Sequence, residues 1–496
     1  MAAVLATTLA MVVLPAAQGA IKPEPTAPVA EIQFPALDMQ KVEAEDRKRA
    51  NEGLPFRFAI PIDFHRPIAR GSEGIASNFG TWEDLGDGTI RWRLQIHAEG
   101  ASSLNFGFSK FFMPPGGELY VYDTVKSMVR GPYTDRDNEV HGELWTPVVF
   151  GDTAVIEVTV PVEFLSSLEL ELTQVSHGYR EFWKSSADKS GGCNIDVVCP
   201  EGNGWRDQIR SVAAYSRGGS IFCTGQMINN TAGDLTPYFL TANHCGMNSS
   251  NAASMVVYWN YENSVCRTPG AGAAGPGDGS LSDSQTGAIF RASRGASDFT
   301  LLELDDDPNP AFDVFWTGWD RSTSPKTGTA IHHPDGEEKR ISFDFDSPTT
   351  TSYLGEPVPG DGTHWRITAW DEGTTEPGSS GSGLWNDEMR LIGQLHGGFA
   401  ACDPFTSPDD NDESDWYGQF AVSWDAGAGA ADQLSNWLDP VGGNPISLNG
   451  TSGCDAPSVD FESSAPLGTA GTAINFTSSV SGGQPPYSYV WDVDGN

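Results

Sequence analysis

The 496-residue chain has no cysteine in its first 192 positions and then seven: Cys193, Cys199, Cys223, Cys245, Cys266, Cys402 and Cys454. Six fall between 193 and 402. An even set confined to one stretch indicates a domain closed by three disulfides in an oxidising compartment. The spacings lack paired C-x-x-C knuckles, which argues against a structural zinc site. Cys454 is the odd one and sits where the composition changes again. Export is supported by the first twenty residues, MAAVLATTLAMVVLPAAQGA, an apolar run closing on small residues. It reads as a signal peptide over 1–20, cut near Gly19 or Ala20, although it lacks the usual cationic start. A buried helix is disfavoured there by Pro15 and by the Pro-rich linker that follows.

Composition narrows the partners. Asp and Glu total 66 against 29 Lys and Arg, a formal charge of −37. A surface so acidic repels phosphate, so sequence-independent nucleic-acid binding is excluded and cationic substrates are favoured. After residue 20 nothing runs apolar long enough for a membrane helix, so a soluble, secreted, extracellular protein with no membrane partner is expected.

Between 35 and 180 the sequence alternates in the manner of strands: IRWRLQIHAEG, LNFGFSKFF, ELYVYD, AVIEVTVPV and LELELTQV. Aromatic and β-branched residues on alternate positions, bounded by Pro-Gly and Asp-Gly turns, indicate antiparallel β structure. The cysteine-bearing segment has shorter strands and longer connections, with helical spacing expected only in AADQLSNWLDP, stopped at Pro440. Many short strands and a terminal helix suit two packed β-barrels. From Asp455 onward the sequence reads as two or three strands of a sandwich, with the chain expected to end inside that domain.

Three stretches carry the chemistry. LTANHCG places His244 after a strand, SDFTLLEL opens a strand at Asp298, and TEPGSSGSGLW sets Ser380 in a glycine-rich turn. A serine hydroxyl is a poor nucleophile until an imidazole takes its proton. The imidazole in turn needs a carboxylate to fix its tautomer. Glycines around the serine let backbone N–H groups point at a developing oxyanion, and those of Gly378 and Ser380 are the candidates. Each piece alone is commonplace: a flexible turn, a packed histidine, a strand-capping acid. Their conjunction, in the order His, Asp, Ser inside an exported disulfide domain, is the chain order of chymotrypsin-type peptidases. Such acyl transfer needs no cofactor and no metal. His332 and His333 look like a metal pair, but adjacent strand residues do not easily face one ion.

Residues 193–450 resemble the lysyl endopeptidase family, the lysine-specific branch of the chymotrypsin-like serine peptidases. The stretches are CNIDVVCPEGNG, MVVYWNYENSVCR, SDFTLLELDDDPNPAF, FWTGWDR, AIHHPDGEEKRIS, TEPGSSGS, IGQLHGG and LSNWLDP. The resemblance implies a mainly β, double-barrel fold with His244 as general base, Asp298 its orienting partner and Ser380 the nucleophile. It also implies the pairings Cys193–Cys402, Cys199–Cys266 and Cys223–Cys245, with Cys454 left over. It points to Asp415, in SDWYG, as the carboxylate that receives lysine; the position six before the nucleophile is only Thr374. The alternative for Asp415 is an ordinary solvated acid in the acidic loop SPDDNDESD. His396, Gly397 and Gly398 would form the cleft wall, where an extended substrate adds as a strand. The family sets a tryptophan against that histidine; Tyr353 is the candidate replacement here.

Lysine usage points the same way. Residues 190–454 hold two lysines, Lys326 and Lys339, yet ten arginines, whereas the first 189 hold seven lysines. An enzyme cutting after lysine endangers its own exposed lysines; general acidic drift is the competing account. Residues 21–189 then read as a β-rich propeptide, released by self-cleavage after Lys189, or alternatively Lys184, ahead of a peptidase domain over 190–453. Residues 454–496 resemble the start of a PKD-type immunoglobulin-like module. The expected partners are lysine-containing polypeptides and the propeptide itself, the expected state a monomer. The rival readings are the same fold with broader Lys/Arg preference and a catalytically silent surface adhesin.

Overall fold

The computed structural model describes residues 28–76, 78–180, 190–267, 273, 275–355, 361–402 and 413–452. It also describes the backbone of two strands, Ser458–Ser463 and Phe476–Ser481, which pair antiparallel. The signal peptide, Lys184, Lys189 and Cys454 lie outside the described residues, as does most of the PKD-like stretch.

The alternating segment forms a sandwich of two sheets. One runs Ala30–Phe34, Thr89–Ala98, Thr153–Pro161, Glu118–Asp123 and Val129–Tyr133; the other runs Ala59–Arg70, Glu169–Gly178, Ser103–Phe112 and Leu144–Trp145. The period of two puts Trp92, Leu94 and Ile96 on one face, and Leu104, Phe106 and Phe108 on another, all buried in one core. Two elements depart from the sequence reading. Ala30–Phe34, in the stretch read as linker, is a strand lying parallel to Leu94–Ala98. Met39–Asn51 is a helix. Its sequence, MQKVEAEDRKRAN, buries only Val42 and so carries no apolar stripe for a periodicity reading to find. Polar contacts hold it instead: Asp38 accepts the Lys41 N–H at 3.2 Å, Lys48 and Arg49 sit in the last turn, and the Asp46 carboxylate accepts from Arg57, Tyr179 and Arg180.

The cysteine-bearing region is built on two further sheets, the two barrels expected. The first orders Ser284–Thr286, Met255–Tyr258, Val212–Arg217, Ile221–Met227, Tyr238–Ala242, Phe299–Leu304 and Ala288–Arg294. The second centres on Arg340–Asp344, Gly328–His332, Gly383–Trp385, Leu391–Gly398, Asp415–Gln419 and His364–Ile367. A shared core containing Val212, Leu240, Phe299, Trp319, Ile331, Trp385 and Trp424 joins them. All three disulfides pair as the resemblance implied: Cys193–Cys402, Cys199–Cys266 and Cys223–Cys245. Of the expected helix in AADQLSNWLDP only Ser435–Leu438 forms, and an unexpected one spans Phe420–Asp425. The Asp432 carboxylate accepts the Ala428 and Gly429 N–H groups, and Gln433 donates to the carbonyls of Asp425 and Gly427. Those side chains satisfy the backbone as a turn, in competition with a helix.

The sandwich docks on the first barrel. Phe58 N–H donates to Ser220 O and Phe222 N–H to Phe56 O, both at 2.9 Å, so the segment before Ala59 pairs with the edge at Ile221. Phe58, Val148, Phe222, Tyr258 and Leu281 bury together in one apolar cluster spanning both regions. Among the described residues no helix is long and apolar enough to cross a membrane.

Candidate active site

Register brings the acid to the base. Strands Tyr238–Ala242 and Phe299–Leu304 pair antiparallel with Ala242 opposite Phe299, so the residues just past one end and just before the other meet. Asp298 precedes Phe299 in the left-handed region at φ 53°, a conformation that Asp tolerates better than most residues. Its Oδ2 lies 2.8 Å from His244 Nδ1, its Oδ1 accepts the His244 N–H at 2.8 Å, and its carbonyl accepts the Asn243 N–H. Asp298 is almost fully buried while the His244 ring keeps an open side. The Cys223–Cys245 disulfide anchors the residue after His244 to the neighbouring strand.

Ser380 is delivered by a turn that only glycine can make. Gly378 has φ 98°, and a Cβ there would come within 2.8 Å of the His333 carbonyl oxygen. The turn is held by Thr224, whose N–H donates to Ser380 O and whose hydroxyl donates to Gly378 O, both at 2.9 Å. The Ser380 carbonyl lies 3.9 Å from Cys245 Sγ, which sets the serine beside the residue that follows His244, and both Ser380 and His244 line one cavity. Among the described residues the N–H groups of Gly378 and Ser380 meet no acceptor, the state an oxyanion site requires. The Ser380 hydroxyl likewise makes no hydrogen bond among the described residues, a looseness common in enzymes without substrate. His332, far from being a metal ligand, is buried with Nδ1 2.8 Å from Ser379 Oγ, bracing the residue before the nucleophile. Burial holds its pKa down at about 3. His333 is also buried and stacks on Tyr261.

His396 is turned into the site by a break in register. Along Leu391–Gly398, Leu395 faces Tyr417 and Gly397 faces Trp416, leaving His396 as the extra residue of a bulge. Its ring stacks on His244 at 5.4 Å and on Tyr353 at 3.6 Å between centroids, so Tyr353 occupies the place expected for the family's tryptophan. Nδ1 of His396 lies 3.9 Å from Asp298 Oδ2. Sequence reasoning overlooked His364, whose Nε2 lies 3.0 Å from His396 Nδ1. A single histidine before a buried Trp on a strand carries no signal of its own. His244, Asp298 and His396 offer donor atoms within 4.8 Å of one another, a metal-like spacing that the His244–Asp298 hydrogen bond already accounts for.

Asp415 lines the same cavity. Its Oδ2 accepts hydrogen bonds from Thr375 Oγ1 at 2.7 Å and Trp370 Nε1 at 2.9 Å, and the Ala400 backbone N–H approaches the carboxylate. Burial pushes its pKa up to about 6, against the opposing pull of those three donors. It is not the solvated acid that its sequence neighbours suggested. Gly398 stands opposite it in the ladder, and a Cβ there would come within 2.2 Å of Asp415 Oδ1. Gly397, at φ 144°, keeps the adjoining wall low. The cavity, of about 300 Å³, is lined by His244, Ser380, His396, Gly397, Gly398 and Asp415. The N-terminal region supplies a further part of the wall: the end of the helix at Arg49 and Ala50, and the segment Gly53 to Arg57. Ser190, the first described residue after the junction, is buried, with Oγ 2.6 Å from Glu337 Oε2.

Two family models match the chain: the lysyl endopeptidase N-terminal domain over residues 33–179 and the lysyl endopeptidase C-terminal domain over residues 187–418. Together they take in well over half of the sequence. A curated lysyl endopeptidase from Pseudomonas aeruginosa is 29% identical over 365 residues, covering 68% of this chain and 76% of its own. Among solved structures, a Glu endopeptidase is 15% identical, with a TM-score of 0.28, covering 47% of this chain and 93% of its own. A serine endoprotease from Yersinia pestis is 13% identical, with a TM-score of 0.27, covering 44% and 61%.

Proposed function

The chain belongs to the lysyl endopeptidase family and is a serine endopeptidase acting on polypeptides, and from this we propose that it cleaves on the carboxyl side of lysine. In this reading His244 removes the Ser380 proton as the hydroxyl attacks the scissile carbonyl. Asp298 holds the Nδ1–H tautomer and stabilises the imidazolium that forms. The N–H groups of Gly378 and Ser380 take up the oxyanion. The leaving amine receives the proton from His244, and water then cleaves the acyl-enzyme by the same route in reverse.

The observation that carries the lysine preference is the Asp415 carboxylate. Oδ2 is held by Thr375 and Trp370, the Ala400 backbone N–H approaches the same carboxylate, and Asp415 lines the cavity that Ser380 also lines, with no cation paired to it among the described residues. A buried carboxylate without a cation is costly, and an entering ammonium group relieves that cost with a charge-assisted bond. Lysine usage is consistent: Lys339 is fully buried against Glu262 and the Ile209 carbonyl, leaving Lys326 as the exposed lysine among the described residues beyond 190.

The protein is made for secretion, in this reading, as a monomeric zymogen with residues 21–189 as its propeptide. What supports this is the wall of Arg49, Ala50 and Gly53 to Arg57 across the cavity, where an extended substrate would have to lie. Cleavage after Lys189 would free the first barrel edge at Ile221. Residues 454–496 are assigned to a PKD-type module with a role in surface or polymer binding.

The test is digestion of a denatured protein of known sequence, with mass spectrometry reading the residue before each cut. Cuts after lysine alone are expected. Equal cutting after arginine establishes the broader specificity. Failure of a fluorophosphonate to label Ser380 in the matured protein establishes the silent adhesin.

A further inference from the structure

His364 lies outside the triad and outside the pocket wall, yet it is bonded to the residue stacked on the catalytic imidazole. A chain of polar contacts runs from the surface to Asp298. Thr363 Oγ1 lies 2.7 Å from Asp361 Oδ1, and 2.7 Å from His364 Nδ1. His364 Nε2 lies 3.0 Å from His396 Nδ1, which lies 3.9 Å from Asp298 Oδ2.

The proton positions along this chain follow from counting donors. An ionised carboxylate only accepts, and a hydroxyl has one proton to give. Thr363 spends its proton on Asp361, whose carboxyl is held below the usual range by the Thr363 bonds. The hydroxyl oxygen can then only accept from His364, so His364 carries its proton on Nδ1. Burial keeps both His364 and His396 neutral, with pKa values near 4 despite the charge of Asp298. A neutral His364 protonated at Nδ1 presents a bare lone pair at Nε2, and His396 must donate to it from Nδ1. The reverse order is penalised a second time, because it would turn the lone pair of His396 Nδ1 toward the Asp298 carboxylate. The groups facing the two rings are Asp298, Asp361, His244 and Tyr353, and they favour the same arrangement.

We propose that His364 is a positioning residue for the acyl-transfer reaction: by accepting the Nδ1 proton of His396 it fixes the tautomer and plane of the imidazole stacked on His244. The Nδ1–H then leans toward Asp298, and Nε2 keeps its lone pair on a ring that lines the cavity. A neutral ring held flat against His244 leaves room for the imidazolium that forms there during acylation, whereas a protonated one would oppose it. This rests on the functional reading above and extends it to a residue that makes no contact with substrate.

The test uses the full chain, expressed and allowed to mature. Imidazole nitrogen NMR, with His396 identified from a His396→Gln spectrum, is expected to find Nδ1 protonated and Nε2 bare. His364→Phe is expected to mix the two tautomers and to lower kcat on a lysyl amide by about tenfold, with KM within about twofold. His364→Gln, which restores an acceptor, is expected to recover most of the loss. If His364→Phe fails to fold, Thr363→Val, which removes the anchor of the chain, carries the same expectations. A His396 protonated at Nε2 in the parent protein overturns the proposal, as does a variant with unchanged tautomer and unchanged kcat. A parent protein that turns over no lysyl amide breaks the functional reading instead, and the tautomer measurement still decides this one.

Discussion

The N-terminal sandwich and the cysteine-bearing double barrel are both made of alternating strands around apolar cores, but they are held together by different means. The sandwich has long strands, one large core with a small separate cluster of Tyr120, Tyr122 and Val155, and no crosslink; its buried Arg91 and Arg93 share Glu83 at 2.7 and 3.1 Å. The double barrel has short strands joined by long connections. It adds three disulfides closing separations of 209, 67 and 22 residues. It also adds a buried charge cluster in which Asp196 pairs with Arg267 and Arg340 at 2.7 and 2.8 Å, and Arg267 with Glu338 at 3.3 Å. Long connections raise the entropy of the unfolded chain, and crosslinks remove it again. If the proposed zymogen reading holds, the crosslinks lie in the part that is retained and none lies in the part that is released.

The largest expected effect comes from Ser380→Ala. Turnover of a lysyl amide should fall by about 10⁴-fold or more, about 5 kcal/mol in transition-state stabilisation. The sandwich should then stay joined to the barrel on a denaturing gel. Separation of the two in this variant would mean that another peptidase divides them. Next is Asp415→Asn, which removes the buried charge and keeps the shape. A loss of about 10³-fold in kcat/KM for lysyl amides, about 4 kcal/mol, is expected, with Ser380 still labelled by a fluorophosphonate. Retention of lysine cleavage would move the specificity element elsewhere.

Replacing Cys193 and Cys402 together by Ala should cost the barrel about 2–4 kcal/mol in urea unfolding and leave the sandwich unchanged. An equal loss in both regions would show that they unfold as one unit. The smallest effect concerns pH. With its pKa raised to about 6, the empty-pocket carboxyl of Asp415 is protonated below that value and ionised above it. An alkylammonium inhibitor binds the ionised form, so its inhibition constant should be flat above pH 7 and rise about fivefold between pH 6 and pH 5. A constant that stays flat through that window would separate Asp415 from ligand binding.

Much of this contrast was legible from residue order. The strands of the sandwich announced themselves by a period of two, because each alternate side chain enters one core. The three site stretches were legible because nucleophile, base and acid each sit beside a strand end or a glycine turn. The helix Met39–Asn51 was not legible: a helix held by capping and exposed charge pairs has no apolar stripe. The bulge at His396 was invisible for a related reason, since one extra residue in a ladder leaves no compositional trace. The short helix Phe420–Asp425 was missed because six residues are too few for a periodic pattern.

What the sequence determined by itself was the chemistry available: a serine in a glycine turn, a histidine and an acid at strand ends, six paired cysteines and an excess of acidic charge. Those depend on local backbone requirements and on composition, which are written residue by residue. What only the tertiary structure decided was which groups face one another. The register of two strands set Asp298 against His244, a bulge laid His396 between His244 and Tyr353, and folding buried Asp415 in the wall of the same cavity. The covering of the cleft by Arg49 to Arg57 belongs to the same class. Hydrogen bonds and desolvation act over a few ångströms of space, and residues 54 positions apart in the chain, as His244 and Asp298 are, come that close only when the sheets have formed.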